Sequence, residues 1–187
     1  MGVFAENTAD KYSFSREQQD DFAITSLKRA QAAIETGAFA GEICSVTVKT
    51  RKGDVIVDND EQPPKANLSK VSTLRAAFRS DGRVTAANSS SMSDGAAALT
   101  LMTQTEASNR NIKPLANILG HSSFSHEPAW FTTAPVGAIK GLLAQLNWQV
   151  DEVDLFEINE AFAVVTMSAM HDLGLDHNKV NVNGGAC

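Results

Sequence analysis

Cysteine is nearly absent. The two in 187 residues, Cys44 and Cys187, are too few for a disulfide framework and fit no metal-ligand spacing. A stapled secreted fold is therefore excluded, and a reducing, cytoplasmic setting is expected. Long apolar runs are missing too. None approaches the ~20 residues that cross a bilayer, so no membrane partner is expected. The N-terminus lacks the basic start, apolar centre and small-residue cleavage site of a secretory leader. Positive charge is in deficit: 16 Lys and Arg against 22 Asp and Glu give a net charge of −6. That argues against a nucleic-acid partner, which would require a basic face. A few local Lys, Arg or backbone N–H groups suffice to hold an anionic ligand. There is no block of like charge, short repeat or low-complexity tract.

What remains is ordinary for a soluble globular chain, with 43% hydrophobic and 20% charged residues. The length allows one large domain, or one with an appendage. Ser15-Arg16-Glu17-Gln18 reads as a capping box opening an amphipathic helix whose apolar positions are Ala23, Leu27, Ala30 and Ile34; Gly37 is suited to end it. Cys44, Val46 and Val48 alternate with polar residues, and Arg51-Lys52-Gly53-Asp54 turns the chain into Val55-Ile56-Val57, which predicts a half-buried strand in a hairpin. Cys44 reads as a small buried apolar residue rather than a nucleophile, since no His or basic residue lies near it in sequence.

Residues 59–67 read as a loop, and Leu68, Val71, Leu74 and Phe78 as a short helical stripe. The nearby Arg75, Arg79 and Arg83 fit either a phosphorylated ligand or a solvated helix face. The small, polar segment 86–95 suits close approach to a narrow ligand or a flexible linker; its apolar flanks favour the former. Ala96–Met102 reads as a buried strand, and Thr103-Gln104-Thr105-Glu106 as a second capping box opening a helix that ends near residues 109–111. From Pro114 onward the pattern restarts. A strand at Leu115–Leu119 leads to a loop, then a helix with Pro135 suited to its first position and Val136, Ile139, Leu143 and Leu146 on its apolar face. A strand at Leu155–Ile158, a helix from about Glu160 to Leu173 and a strand at Val180–Val182 follow. Such alternation argues for an α/β layered sheet.

The most informative stretch is Asp154–Ala163. A short apolar run ends at Asn159-Glu160, and a segment of helical length follows. Asn159 is placed either to cap that helix or to serve as a side-chain amide at a strand end, where open α/β sheets gather ligand chemistry.

Asn159-Glu160-Ala161-Phe162 resembles the Asn-Glu-Ala-Phe signature of the thiolases, and further matches run in order along the chain. They include Met1-Gly2 with Ala5-Glu6-Asn7, the Ser15–Asp20 segment, Arg51–Asp54 and Leu74–Phe78. They continue through Val84–Asn88, Asp94–Ala98 and Asn181–Gly185. The resemblance implies an α/β, thiolase-like layered fold, present in part. Residues 1–92 correspond to the loop domain that covers coenzyme A, 93–112 to the end of the N-terminal half and 113–187 to the start of the C-terminal half. It further implies an acyltransferase condensing two acetyl-CoA to acetoacetyl-CoA, or the thiolytic reverse, with acyl-CoA as substrate and no separate cofactor or metal. A dimer or tetramer is implied as the assembly.

In the family one cysteine takes the acyl group as a thioester and a second moves the proton beside the thioester carbonyl. The signature asparagine orients a water toward the enolate oxygen, which gives Asn159 that role. Ala161 and Phe162 match positions lining the acyl and pantetheine pocket. Met1, Phe78, Ala86 and Ser90 match the coenzyme A tunnel, with Ser90 bonding the pantetheine. Asn159, where other members carry His, favours a short-chain acetoacetyl-type enzyme.

Departures accompany these matches. The acylated cysteine corresponds to family sequence before Met1, and the Gly-His-Pro histidine and second cysteine to sequence after Cys187. Pro64 stands where many relatives carry an arginine against the adenine, with Lys65 as a partial substitute, and Phe131 stands where Met is common. None of the four histidines (His121, His126, His171 and His177) matches a catalytic position; His171 reads as a surface or helix-capping residue. Both ends look cut, so an internal, inactive fragment is expected. The alternatives are a catalytically silent coenzyme A-binding or oligomerisation module, and a chain that pairs with separate halves.

Overall fold

The computed structural model describes residues 1–187. Helices α1 (Gly2–Lys11) and α2 (Arg16–Glu35) open the chain, and the predicted capping box sets the second. The Ser15 hydroxyl accepts from Gln18 N–H at 3.1 Å, and the Gln18 side chain accepts from Ser15 N–H at 2.8 Å. Gly37 adopts φ +66° just beyond the helix, the conformation a glycine reaches without steric cost. The buried face of α2 differs from the predicted one: it includes Gln19, Asp20, Phe22, Ala23, Ser26 and Ala33. Much of this helix therefore packs on buried polar groups rather than on hydrocarbon.

Strands β1 (Val46–Thr50) and β2 (Gly53–Val57) form the predicted hairpin, antiparallel with Val46 opposite Val57 and Thr50 opposite Gly53. All ten residues are exposed, not half-buried, and Cys44 is exposed rather than packed away. Alternation gave the pairing but not the burial, because no other layer covers the hairpin. A four-residue helix, α3 (Gln62–Lys65), interrupts the expected loop, and the stripe from Leu68 gives only a 3₁₀ turn to Thr73 before Leu74 turns extended.

The core collects Ala5 and Ala9 of α1 with Phe14, Val84, Phe156, Ile158 and the apolar face of helix α6 (Ala163–Leu173). Helix α5 (Ala134–Leu146) starts one residue before the expected Pro135, which takes its second position, and adds Val136. The apolar 96–102 and 115–119 segments, read as strands, pair with nothing and expose Leu99, Leu101, Leu115 and Ile118. A strand persists only where a neighbour takes its backbone N–H and C=O groups, and no segment of this chain lies alongside to do so. Between them α4 (Gln104–Asn109) starts with the Thr103 hydroxyl accepting from Glu106 N–H, but the second capping box is half made, since the Glu106 side chain pairs with Arg110.

The predicted strands at 155–158 and 180–182 reduce to one parallel bridge. Phe156 N–H donates to Lys179 O at 2.8 Å and Asn181 N–H donates to Phe156 O at 2.9 Å. Beyond it, Asn181 turns away at φ +47°, and its side-chain amide takes over the ladder, accepting from Ile158 N–H and donating to Ile158 O.

A buried carboxylate fixes the N-terminal helix. Glu6, 1% exposed, accepts from the N–H groups of Arg83 and Val84 at 2.9–3.0 Å. A Cβ at Gly82 would stand 2.2 Å from its oxygen. Glu6→Ala leaves two N–H groups unpaired beneath α1, so chemical denaturation is expected to show a loss of about 2–3 kcal/mol.

Candidate functional site

Burial alternates residue by residue from Leu155 to Phe162. Phe156, Ile158, Glu160 and Phe162 point inward while Leu155, Glu157, Asn159 and Ala161 point outward or half outward. Period two is the signature of extended chain. It places Asn159 and Ala161 on the same side, and both line one cleft of about 340 Å³ with Phe124, Phe131, Ala134, Pro135, Ala138 and Val165. The walls are almost wholly apolar, so the Asn159 amide is the polar side chain of the cleft. It does not cap α6: that helix begins at Ala163, three residues later than predicted from Glu160, with Phe162 at its N-cap and no side-chain cap.

Glu160, 1% exposed, anchors this stretch from beneath. Its carboxylate accepts from Ser26 Oγ at 2.7 Å, Asn181 Nδ2 at 2.7 Å and Cys187 N–H at 3.0 Å. Gly185 N–H donates to the same Ser26 hydroxyl, and Arg29 of α2 donates to the carbonyls of His177 and Val180. A side chain at Gly185 would meet the Glu160 carboxyl at 2.2–2.4 Å. None of these supporting residues was read from the sequence as functional. The signature motif pointed at Glu160, but its partners lie 21 to 134 residues away and leave no local trace.

The other sequence-predicted residues form a strip beside the cleft. The Phe78 ring lies over Gly2, where a Cβ would come within 2.3 Å of it, next to the exposed Met1. Phe78 meets Phe162 edge-on at 6.1 Å, and Phe162 meets Phe131 at 6.5 Å. Ser90 N–H donates to Ala161 O, and Ala163 N–H to Asn88 O, so segments 88–90 and 161–163 pair in a short antiparallel patch. Met1, Phe78, Ser90, Ala161 and Phe162 are thereby brought together. Ala86 stands apart, on the exposed tip of a turn that Asn88 closes by accepting from Thr85 N–H. Phe131 sits in the cleft wall.

Charges around the site are mostly committed. Arg79 and Arg83 both pair with Asp10 of α1, and Arg79 also reaches Asn7, which ties the loop to the helix. Lys65 pairs with Glu61 on the surface. Burial, aided by the neighbouring Glu160, pushes the Glu157 carboxyl up. The same causes in the same order raise the Cys187 thiol well above the ordinary range, so Cys187 is held protonated. Burial and then Arg29 lower His177, whose ring stacks on Phe22 at 5.1 Å. His171 is an exposed surface residue beside Asp172. No group of three or more His, Cys, Asp or Glu side chains is gathered as a metal site, and no helix is long and apolar enough to cross a membrane.

Residues 1–105 match the thiolase N-terminal domain and residues 112–187 the thiolase C-terminal domain. The chain is similar to acetyl-CoA acetyltransferase of Rhizobium meliloti (strain 1021), 46% identical over 187 residues, covering 100% of this chain and 48% of that protein. It is also 46% identical, over 189 residues, to the cytosolic acetyl-CoA acetyltransferase of Rattus norvegicus, again covering 100% of this chain and 48% of the relative. Among solved structures it resembles the Bacillus anthracis acetyl-CoA acetyltransferase with a TM-score of 0.96 at 40% identity, covering 100% of this chain and 48% of that one. It resembles the Acat5 thiolase of Ascaris suum in complex with coenzyme A with a TM-score of 0.91 at 40% identity, covering 99% and 47%. The chain thus spans about half the length of the curated relatives it matches. Its fold is α/β and thiolase-like, in part, and the chain belongs to the thiolase family.

Proposed function

We propose that this polypeptide carries the coenzyme A-covering region and the enolate-stabilising asparagine of an acetyl-CoA C-acetyltransferase. The whole enzyme would condense two acetyl-CoA to acetoacetyl-CoA or run the thiolytic reverse, in a cytoplasmic setting and with no separate cofactor. Residues 1–92 are the covering loop domain, 93–112 the end of one half and 113–187 the start of the other. The observation that carries the reading is Asn159: a side-chain amide on an otherwise apolar cleft, next to the strip of Met1, Phe78, Ser90, Ala161 and Phe162. In the reaction, that amide orients a water toward the thioester oxygen as negative charge develops, a stabilisation whose strength depends on preorganisation. The strip takes the pantetheine arm, with the exposed Ser90 hydroxyl as its hydrogen-bond partner and Ala86 further along the tunnel. The Ascaris suum thiolase, whose structure is a complex with coenzyme A, supports this choice of ligand.

The 187-residue polypeptide by itself is proposed to be inactive. Cys187 is half-buried and held as a thiol, and Cys44 lies outside the cleft, on the exposed hairpin side. Spectrophotometric assay is expected to show no cleavage of acetoacetyl-CoA; turnover by a preparation of confirmed intact mass overturns this.

Calorimetric titration of the same polypeptide is expected to show binding of both coenzyme A and acetyl-CoA. Asn159→Ala should weaken acetyl-CoA roughly fivefold, the loss of one hydrogen bond of about 1 kcal/mol, and leave coenzyme A unchanged. Equal loss for both ligands would remove the assigned role, and absence of all binding would remove the reading of the strip.

A homo-oligomer is part of the proposal. The unpaired, apolar 96–102 and 115–119 segments support association through strand edges. Light scattering is expected to give a mass at least twice that of one chain, and a monodisperse monomer would refute it.

A further inference from the structure

We propose that Glu160 is a positioning residue for Asn159. Its carboxylate sets the direction in which the neighbouring amide faces, and Ser26, Asn181 and Gly185 define the socket that holds it. This rests on the reading of Asn159 given above, and it extends that reading to a group that touches no substrate.

Asn159 emerges from the chain between two inward-facing residues, Ile158 and Glu160, each fixed by the same side chain. Asn181 Oδ1 accepts from Ile158 N–H at 2.8 Å, while its Nδ2 donates to Ile158 O at 2.9 Å and to Glu160 Oε1 at 2.7 Å. These three bonds leave Asn181 only one amide orientation. Its nitrogen must face Glu160, so position 160 must present an acceptor on that side.

The other oxygen, Oε2, faces two further donors, the Ser26 hydroxyl and Cys187 N–H. A group surrounded by donors on both sides has to be acceptor-only, which an ionised carboxylate is and a glutamine is not. Ser26 is itself oriented, because its oxygen accepts from Gly185 N–H at 2.9 Å and so its proton goes to Glu160. Gly185 has no side chain at the one place where a Cβ would occupy the carboxyl group. The socket thus has a shape, a charge and a polarity that glutamate alone fits.

With Ile158 and Glu160 both pinned, the intervening peptide cannot rotate, and alternation sends Asn159 into the cleft. Glu160→Gln keeps size and removes the second acceptor. Its NH₂ must then face Nδ2 of Asn181, or face Cys187 N–H while the Ser26 hydroxyl, turned to accept, loses the acceptor for its own proton. Either conflict is relieved by moving residues 158–161, and Asn159 moves with them.

The test is nuclear magnetic resonance on the 187-residue chain, with the Asn159 side-chain NH₂ signals assigned by their loss in Asn159→Ala. In the wild type these protons are expected to be dispersed and to show cross-relaxation to Phe131, Pro135 and Ala138. In Glu160→Gln, with the far-ultraviolet circular dichroism spectrum retained, the dispersion and those cross-peaks are expected to be lost. Wild-type cross-peaks in folded Glu160→Gln overturn the proposal. Should that variant not fold, Ser26→Ala decides, since it removes one donor and keeps the charge. Weakened Asn159 cross-peaks then support the socket, and unchanged ones overturn it. A parallel titration with acetyl-CoA separates the two claims: wild-type Asn159 signals that do not shift with the ligand refute the functional reading and leave the positioning result standing.

Discussion

A carboxylate removed from water has to be matched oxygen by oxygen, and Glu160 meets that demand by drawing the long second helix and the 181–187 segment, far apart in sequence, onto one residue. Ser26 comes from the long second helix, Asn181 from the end of the parallel bridge, and Cys187 from the segment after the glycine pair. Removing a buried acceptor of this kind leaves its donors stranded, and stranded donors are costlier than the net gain of the bonds they made. The elements that shape the cleft are therefore tied to one another through a polar junction, while the apolar cluster around Phe156, Ile158 and Phe162 supplies bulk. Glu6 plays the same part at the other end, where its oxygens receive the N–H groups of residues 83 and 84. Two buried glutamates thus clamp the segment 82–90 and the segment 156–163 against helices α1 and α2. The short pairing between residues 88–90 and 161–163 then joins the two clamps.

Local elements were largely legible. Capping chemistry placed the start of α2, glycine its end, and proline the first turn of α5, because these devices act within four residues of themselves. The hairpin was legible from alternation and its turn. What failed depended on distant neighbours. The 96–102 and 115–119 segments have strand composition, but composition supplies no partner, and they stay unpaired. Cys44 looked like a buried apolar residue because its neighbours alternate; the missing layer leaves it in solvent. The arginines near Phe78 looked equally suited to a phosphate or to solvent, and two of them instead hold Asp10, 69 and 73 residues away.

The site divides along the same line. Asn159, Ala161 and Phe162 sit within one motif, and their alternation decides which side each faces. The grouping of Met1, Phe78 and Ser90 with them was legible only through the family resemblance, since nothing local links residue 78 to residue 162. The socket beneath was not legible at all. A glutamate next to an asparagine reads as solvated unless its donors are known, and here they arrive from both ends of the chain.

The glycine pair has an evolutionary consequence. Gly184 runs at φ +84°, and a Cβ there would come within 2.5–2.6 Å of the Ser26 carbonyl and the Ala30 nitrogen; one at Gly185 would meet the Glu160 carboxyl. Positions 26, 160 and 185 therefore form an interlocked set in which the residue tolerated at each is conditional on the other two. A side chain can enter at 185 only after 160 has been shortened, and shortening 160 first abandons the donors. Single-step mutational paths out of this arrangement pass through a destabilised intermediate in either order, so change here has to arrive as paired substitutions.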